Sequence, residues 1–334
     1  MKKLFFQILL LASLFFASLS GAQAQQDAQF SQYMFNQQYL NPAVVGLDTN
    51  YIHTGLIFRQ QWLGYKATFD DGGAPSSTVL SINAPIKRAK SGIGLHLVYD
   101  VIGPVTNTEI QLSYAYHIPI KNGRFSIGLR AGMYNQSTDF SKFRPVDRDD
   151  PLLSNAGRIN QFVPDFSLGV YLSKPTYFVG ASMNHLSQSE ISYATSFTFA
   201  SLKQSLNIVG GYNWAINENI TIMPSALVKF LPSDISNTLS YEATILGNYE
   251  TKARNNIYFG FGFRDLAPTN DLIFLLGINN LLKDNSLSIG YAFDYVLNGS
   301  TAKAPTSHEF RLGYRLPAPK RYERNIIRTP RFRF

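Results

Sequence analysis

The 334-residue sequence contains no cysteine. That removes disulfide staples, thiolate metal sites and a lipid-bearing cysteine from consideration. An exported chain of this size without disulfides has to close its fold on itself. Charge is also scarce, with Asp, Glu, Lys and Arg together making 16% of the residues. The third scarcity is the long apolar run. Leu4 to Phe16 is the one predominantly apolar stretch, and it is too short to span a bilayer comfortably as a helix. If this chain crosses a membrane, it does so with strands.

The apolar stretch has a different use. Lys2 and Lys3 precede it and Ala22-Gln23-Ala24 follows it as a small-x-small site, the order of a secretion signal rather than of a retained anchor. Cleavage is expected between Ala24 and Gln25. Without Lys2 and Lys3 the formal charge falls from +8 to +6, and the stretch from Pro317 carries six basic residues against Glu323. The body is therefore nearly neutral, and the basic balance gives no argument for nucleic acid. Four regions follow: residues 1–24 as a cleaved signal peptide, 25–50 as an N-terminal periplasmic or plug-like segment, 51–316 as a transmembrane β-barrel, and 317–334 as a basic C-terminal tail.

Aromatic residues are abundant, at 14%, and rarely so alongside this little charge in soluble domains. Their placement is periodic. Phe125, Ile127, Leu129, Ala131 and Met133 alternate with Arg, Ser and Gly; Ile257, Phe259, Phe261 and Phe263 alternate with Tyr258, Gly260, Gly262 and Arg264. Leu287, Ile289, Tyr291, Phe293 and Tyr295 repeat the pattern. Alternation with rings on one face and Gly, Ser or charge on the other predicts lipid-facing barrel strands. A soluble sandwich also alternates, but its apolar face favours aliphatic residues of mixed size.

About fourteen segments fit, giving an all-β, antiparallel transmembrane outer-membrane barrel: 51–64, 76–87, 91–103, 106–120, 124–137, 164–173, 176–184, 203–216, 218–230, 236–249, 255–265, 270–279, 284–297 and 306–316. Connections after even-numbered segments are short. The long ones, near 65–75, 138–163, 185–202 and 298–305, follow odd-numbered segments. Short periplasmic turns and long outer loops are usual in such barrels, so both termini are expected in the periplasm. Trp62, Tyr65, Trp214 and Phe230 fall near segment ends, where interfacial rings belong. Residues 25–50 lack the alternation, and Pro42 requires any helix there to be short and to end before Asn41.

Candidate chemistry is sparse. His53, His96, His117, His185 and His308 show no metal-ligand spacing, so no metal or cofactor is expected. Ser307-His308-Glu309 has triad residue types, but neighbours on a strand point to opposite faces. There is no nucleophile elbow and no phosphate loop, and no catalytic residue is assigned. Gly92, Gly94, Gly260 and Gly262 sit on the small faces of strands, which suits a crowded lumen. Asp70-Asp71-Gly72-Gly73 and Asp147 to Asp150 read as solvated loop tips rather than calcium loops. Lys320, Arg321, Arg324, Arg328, Arg331 and Arg333 form the one charge cluster. It is either a solvated terminus or an arm that docks on an acidic periplasmic partner or on anionic head groups.

Several segments form an ordered set: Gln29 to Met34, Asn41-Pro42-Ala43 with Gly46, Arg59-Gln60-Gln61-Trp62 with Gly64, and Gly94-Leu95 with Asp100 and Gly103. Tyr177 to Ser182 with His185-Leu186, and Ser307-His308-Glu309 through Tyr314-Arg315, continue it. Together these segments resemble the PorP/SprF family of type IX secretion and gliding-motility proteins. Family members tend to end near that last strand, whereas this chain runs on to Phe334. The resemblance implies a non-enzymatic outer-membrane component of type IX export in Bacteroidetes-like bacteria. Its partners would be outer-membrane lipid, a secreted surface protein held by its C-terminal domain, and a periplasmic peptidoglycan-binding protein. Rival readings are a general or substrate-specific porin and a lipid-acting barrel hydrolase, for which no Ser–His pair assembles on one face.

Overall fold

A computed structural model describes residues 27–65, 73–142, 157–194, 197–266, 269–282, 284, 286–298 and 304–319. The strands are β1 (Tyr51–Gln60), β2 (Ser76–Ile86), β3 (Ser91–Ile102), β4 (Val105–Ile120), β5 (Gly123–Asp139), β6 (Arg158–Ser173) and β7 (Tyr177–Asn184). Next come β8 (Glu190–Ala194), β9 (Phe197–Ser201), β10 (Ser205–Tyr212), β11 (Trp214–Ala215) and β12 (Ile220–Phe230). The last five are β13 (Ser240–Glu250), β14 (Asn256–Leu266), β15 (Thr269–Asn279), β16 (Leu287–Asn298) and β17 (Thr306–Pro317). Sequential strands pair antiparallel around a ring that β1 and β17 join, from Tyr51 opposite Pro317 to Gln60 opposite His308. β10 pairs with β7 on one side and β12 on the other, which closes the circle. With β11 as the continuation of β10 beyond Asn213, and the β8–β9 hairpin apart from the wall, this is a fourteen-stranded barrel.

The alternation of the sequence becomes the two faces of the wall. On β5, Ile127, Leu129 and Met133 are exposed while Ser126, Gly128 and Arg130 are buried. Exposed apolar side chains recur around the outside, from Leu112 and Phe166 to Phe259 and Phe310. A surface of this kind is stable only against hydrocarbon.

Among the departures from the sequence expectation, four have a local reason. β1 ends at Gln60 rather than 64, because Trp62 and Gly64 take left-handed backbone angles that turn the chain. β6 begins at Arg158 rather than 164 and pairs with an equally extended β5 up to Asp139. Polar Asn160 and Gln161 hide that extension from a hydrophobic pattern. β13 starts at Ser240, after a single helical turn at Ile235–Thr238. The connection expected over 185–202 contains the β8–β9 hairpin, whose Ile191 packs with Leu202, Val163 and Tyr134 in a small second core.

Residues 27–50 run inside the ring. Phe30, Tyr33, Tyr39, Leu40, Ala43 and Val45 are buried with inward residues of both halves of the wall. The segment is three single turns, Tyr33–Phe35, Gln37–Leu40 and Pro42–Val44. Asn41 is extended, as a residue before proline must be, and its side chain accepts from the Ala43 N–H to cap the Pro42 turn.

Candidate functional site

A short segment of single turns leaves many backbone groups to satisfy. The inward side chains of the barrel supply the partners. Arg130 donates to the carbonyls of Gln38 and Tyr39. Ser182 donates to the Leu40 carbonyl at 2.7 Å, and Arg124 donates to that of Leu47. His117 Nε2 lies 3.1 Å from the Val45 carbonyl oxygen. Glu309 accepts from the Ser31 and Gln32 N–H groups at 2.7 and 2.9 Å. The segment reciprocates: Asn41 Nδ2 donates to the carbonyls of Val170 and Ala181, and Gln38 Nε2 to those of Ile82 and Leu95. The polar inner face is thus a set of sockets for a backbone.

Glycine lets the two come together. A Cβ at Gly92 would overlap the Val45 carbonyl, and one at Gly128 the backbone of Pro42 and Ala43. A larger residue at Gly128 would push the Asn41-Pro42-Ala43 turn off the wall, and one at Gly92 would displace Val45 and Gly46.

A buried charge network holds the other side of the segment. Arg59 on β1 lies 2.6 Å from Asp294 on β16 and 3.4 Å from Glu309 on β17. Arg264 on β14 lies 2.7 Å from Glu242 on β13 and 3.2 Å from Asp294. Both guanidinium groups also donate to Ser31 Oγ, which in turn contacts both oxygens of Asp294. Charges this deeply buried need partners on every side, and Ser31 stands at their crossing point. At the start of the segment, His185 Nε2 is 2.9 Å from Asp27 and its Nδ1 is 3.1 Å from Asp165. Burial pushes the Asp27 carboxyl up, but the His185 charge and hydrogen bond outweigh it and bring it down to about 2. Burial likewise opposes the His185 charge, and Asp27 and Asp165 hold the imidazole well above the usual histidine range.

The segment leans on β3 to β7 and leaves a cavity of about 500 Å3 on the other side. Asn83, Asn256, Asn279, Arg311 and Arg315 are among its lining residues. It lies at the end of the barrel where β1 begins and β17 ends. Arg311 stacks on Phe35, 4.1 Å from the ring centre, and donates to Asn279 at 2.8 Å.

Of the residues singled out from the sequence, Ala24 and Gln25 lie outside the described residues. So do Lys320, Arg321, Arg324, Arg328, Arg331 and Arg333, the acidic tip 147–150, and 70–72 of the other tip. The five histidines are dispersed. His96 and His117 face inward, His53 pairs with Asp48 at 2.9 Å, and His308 reaches the Tyr291 hydroxyl at 2.6 Å. Ser307 and Glu309 face the lumen, flanking His308. Among the described residues no three His, Asp or Glu side chains gather as a metal site. Sequence reasoning did not assign Asp27, Arg130, Glu242 or Asp294 a role. Their signal was available: each is an isolated charge, three of them on the small-residue face of a strand with rings on its other face.

The segments that carried the resemblance meet around the inner segment. Gln29 to Met34 and Asn41-Pro42-Ala43 form it, and Arg59, Gly94, Ser182, His185 and Glu309 line its sockets. Solved structures with a similar fold include the CymD monoaromatic hydrocarbon channel, with a TM-score of 0.54 and 12% identity over 88% of this chain and 94% of that one. The Ralstonia pickettii toluene transporter TbuX has a TM-score of 0.52 and 12% identity over 90% and 97%. At such identity the likeness is one of fold alone. No curated protein sequence matches the chain at a significant level. The model of the type IX secretion system membrane protein PorP/SprF family, in contrast, matches residues 22–314. With that match spanning most of its length, the chain belongs to the PorP/SprF family.

Proposed function

We propose that this barrel is a non-enzymatic outer-membrane component of the type IX secretion and gliding machinery that helps export or anchor a cell-surface protein. The observation that carries the reading is the filled lumen. The family's own segments spend their polar groups on holding residues 27–50 inside the ring, which suits a scaffold better than a free-running pore. The secreted protein's C-terminal domain would be held at the rim of long connections. A peptidoglycan-binding periplasmic protein would meet the opposite rim, where the basic tail from Lys320 serves as a docking arm. Residues 1–24 act as a signal peptide, and both termini face the periplasm.

Two measurements test this. Deleting the gene in its own bacterium should abolish surface display of a partner adhesin; normal display of all type IX cargo sinks the proposal. Orientation is tested with Ser187→Cys, on a long connection, and Ala89→Cys, in a short turn, against a background without cysteine. A membrane-impermeant maleimide on intact cells should label the first and spare the second. The reverse pattern overturns the orientation.

A further inference from the structure

The rim where β1 begins and β17 ends is strongly basic. Its turns hold Lys87, Arg88 and Lys90 between β2 and β3, Lys121 between β4 and β5, Lys174 between β6 and β7, and Lys252 and Arg254 between β13 and β14. Against these seven stand Glu218 and Asp284 among the described turn residues of that rim. At the other rim the sequence of the connections nearly cancels, with six basic residues against seven acidic ones. Charge is sparse in this chain, so a one-sided collar is a feature of the molecule and not of its composition.

The collar is free to bind. Lys87, Arg88, Lys90, Lys121, Lys252 and Arg254 are exposed. Among the described residues none of the seven is within ion-pair distance of a carboxylate. Lys87 donates to the Pro319 carbonyl, and Lys174 sits over the Tyr177 ring. Each basic turn begins or ends beside an outward apolar side chain, such as Ile86, Ile120 or Ile257. The cations therefore stand one step beyond the lipid-facing band, at head-group depth, where Lys and Arg stems extend along apolar surface and their charges reach phosphate.

We infer that this rim is a binding collar for anionic phospholipid head groups in the leaflet it touches. Placement around the circumference decides between lipid and an acidic protein. A protein docks on one arc or across the mouth, whereas four of the six turns around this ring carry basic residues among the described residues, and all of them border the bilayer. The inference rests on the barrel spanning a bilayer and not on which way round it sits.

The test uses the full chain reconstituted in phosphatidylcholine vesicles containing a trace of spin-labelled phosphatidylglycerol or, in parallel, spin-labelled phosphatidylcholine. The readout is the fraction of label immobilised by the protein. Phosphatidylglycerol should be preferred by about fivefold at low salt, the ratio set by about 1 kcal/mol per basic side chain near the surface. The preference should fall towards parity in 1 M NaCl, where screening is nearly complete. Replacing all seven residues by glutamine should abolish it, with heat-modifiable gel migration reporting that the barrel is folded. Should that variant not fold, K87Q/R88Q/K90Q alone should lower the preference by a measurable part. Parity in the wild-type protein overturns the inference and leaves the collar to an acidic protein. Unchanged preference in the glutamine variants overturns it as well. Loss of preference on truncation after Pro319 alone assigns the effect to the tail instead. Failure of the protein to co-float with the vesicles would contradict the membrane reading itself, a result distinct from parity.

Discussion

Arg59 and Ser31 show how single residues hold the interior. The guanidinium lies between two carboxylates from different strands and also donates to the Ser31 hydroxyl. Removing one member of such a set strands the others as uncompensated charges, which costs about 3–5 kcal/mol. Arg59→Ala is therefore expected to lower the temperature at which the folded band disappears from semi-native gels, well beyond the effect of Lys252→Ala at an exposed turn. Equal temperatures for the two variants would count against the network. Asp27 and His185 make a second, pH-dependent anchor. His185 is held above its ordinary value, so its contribution is complete below about pH 6.5 and is lost as pH rises through the raised value. Asp27 is held down near 2, so its contribution is complete above about pH 4 and fades as pH falls towards 2. A spin label on Gln29→Cys should be immobile between those limits and gain mobility on strong alkalinisation. The alkaline change should vanish when His185→Gln is added; mobility that follows pH identically in both proteins would refute the anchor.

At the scale of elements, the wall was legible and its filling was not. Strands such as β5 and β14 announce themselves because a period of two, with apolar side chains and rings on one face and small residues on the other, is the pattern of a lipid-facing wall. The strand ends were harder to place, since Trp62 turns the chain by its backbone angle and the polar pair Asn160-Gln161 interrupts the apolar alternation near the start of β6. Residues 27–50 carry no period at all. Their conformation is written in the partners opposite them, Arg130, Ser182 and Glu309, which lie far away in sequence. The β8–β9 hairpin escaped for the same reason, as Ile191 finds its neighbours Tyr134 and Val163 on β5 and β6, far away in sequence. One consequence is measurable. Deleting residues 27–47 should leave a folded barrel with a water-filled lumen. In planar bilayers the intact protein should be silent where the deletion variant conducts; steady conductance from the intact protein would instead favour the porin reading.

The whole molecule brings its first and last strands side by side, and this has a consequence for timing. Arg59 is on β1, Glu309 on β17, Asp294 on β16 and Ser31 on the inner segment, so the four meet only when the seam between β1 and β17 shuts. Before that moment each of these groups can remain hydrated; afterwards all are sealed together. A ring that closed over an empty interior would leave these groups in a water-filled lumen, hydrated but without the hydroxyl of Ser31 at their crossing point. A ring that closes with Ser31 in place is locked. The seam is therefore tightest around its own contents: the same four groups that fasten the segment also fasten the first strand to the last.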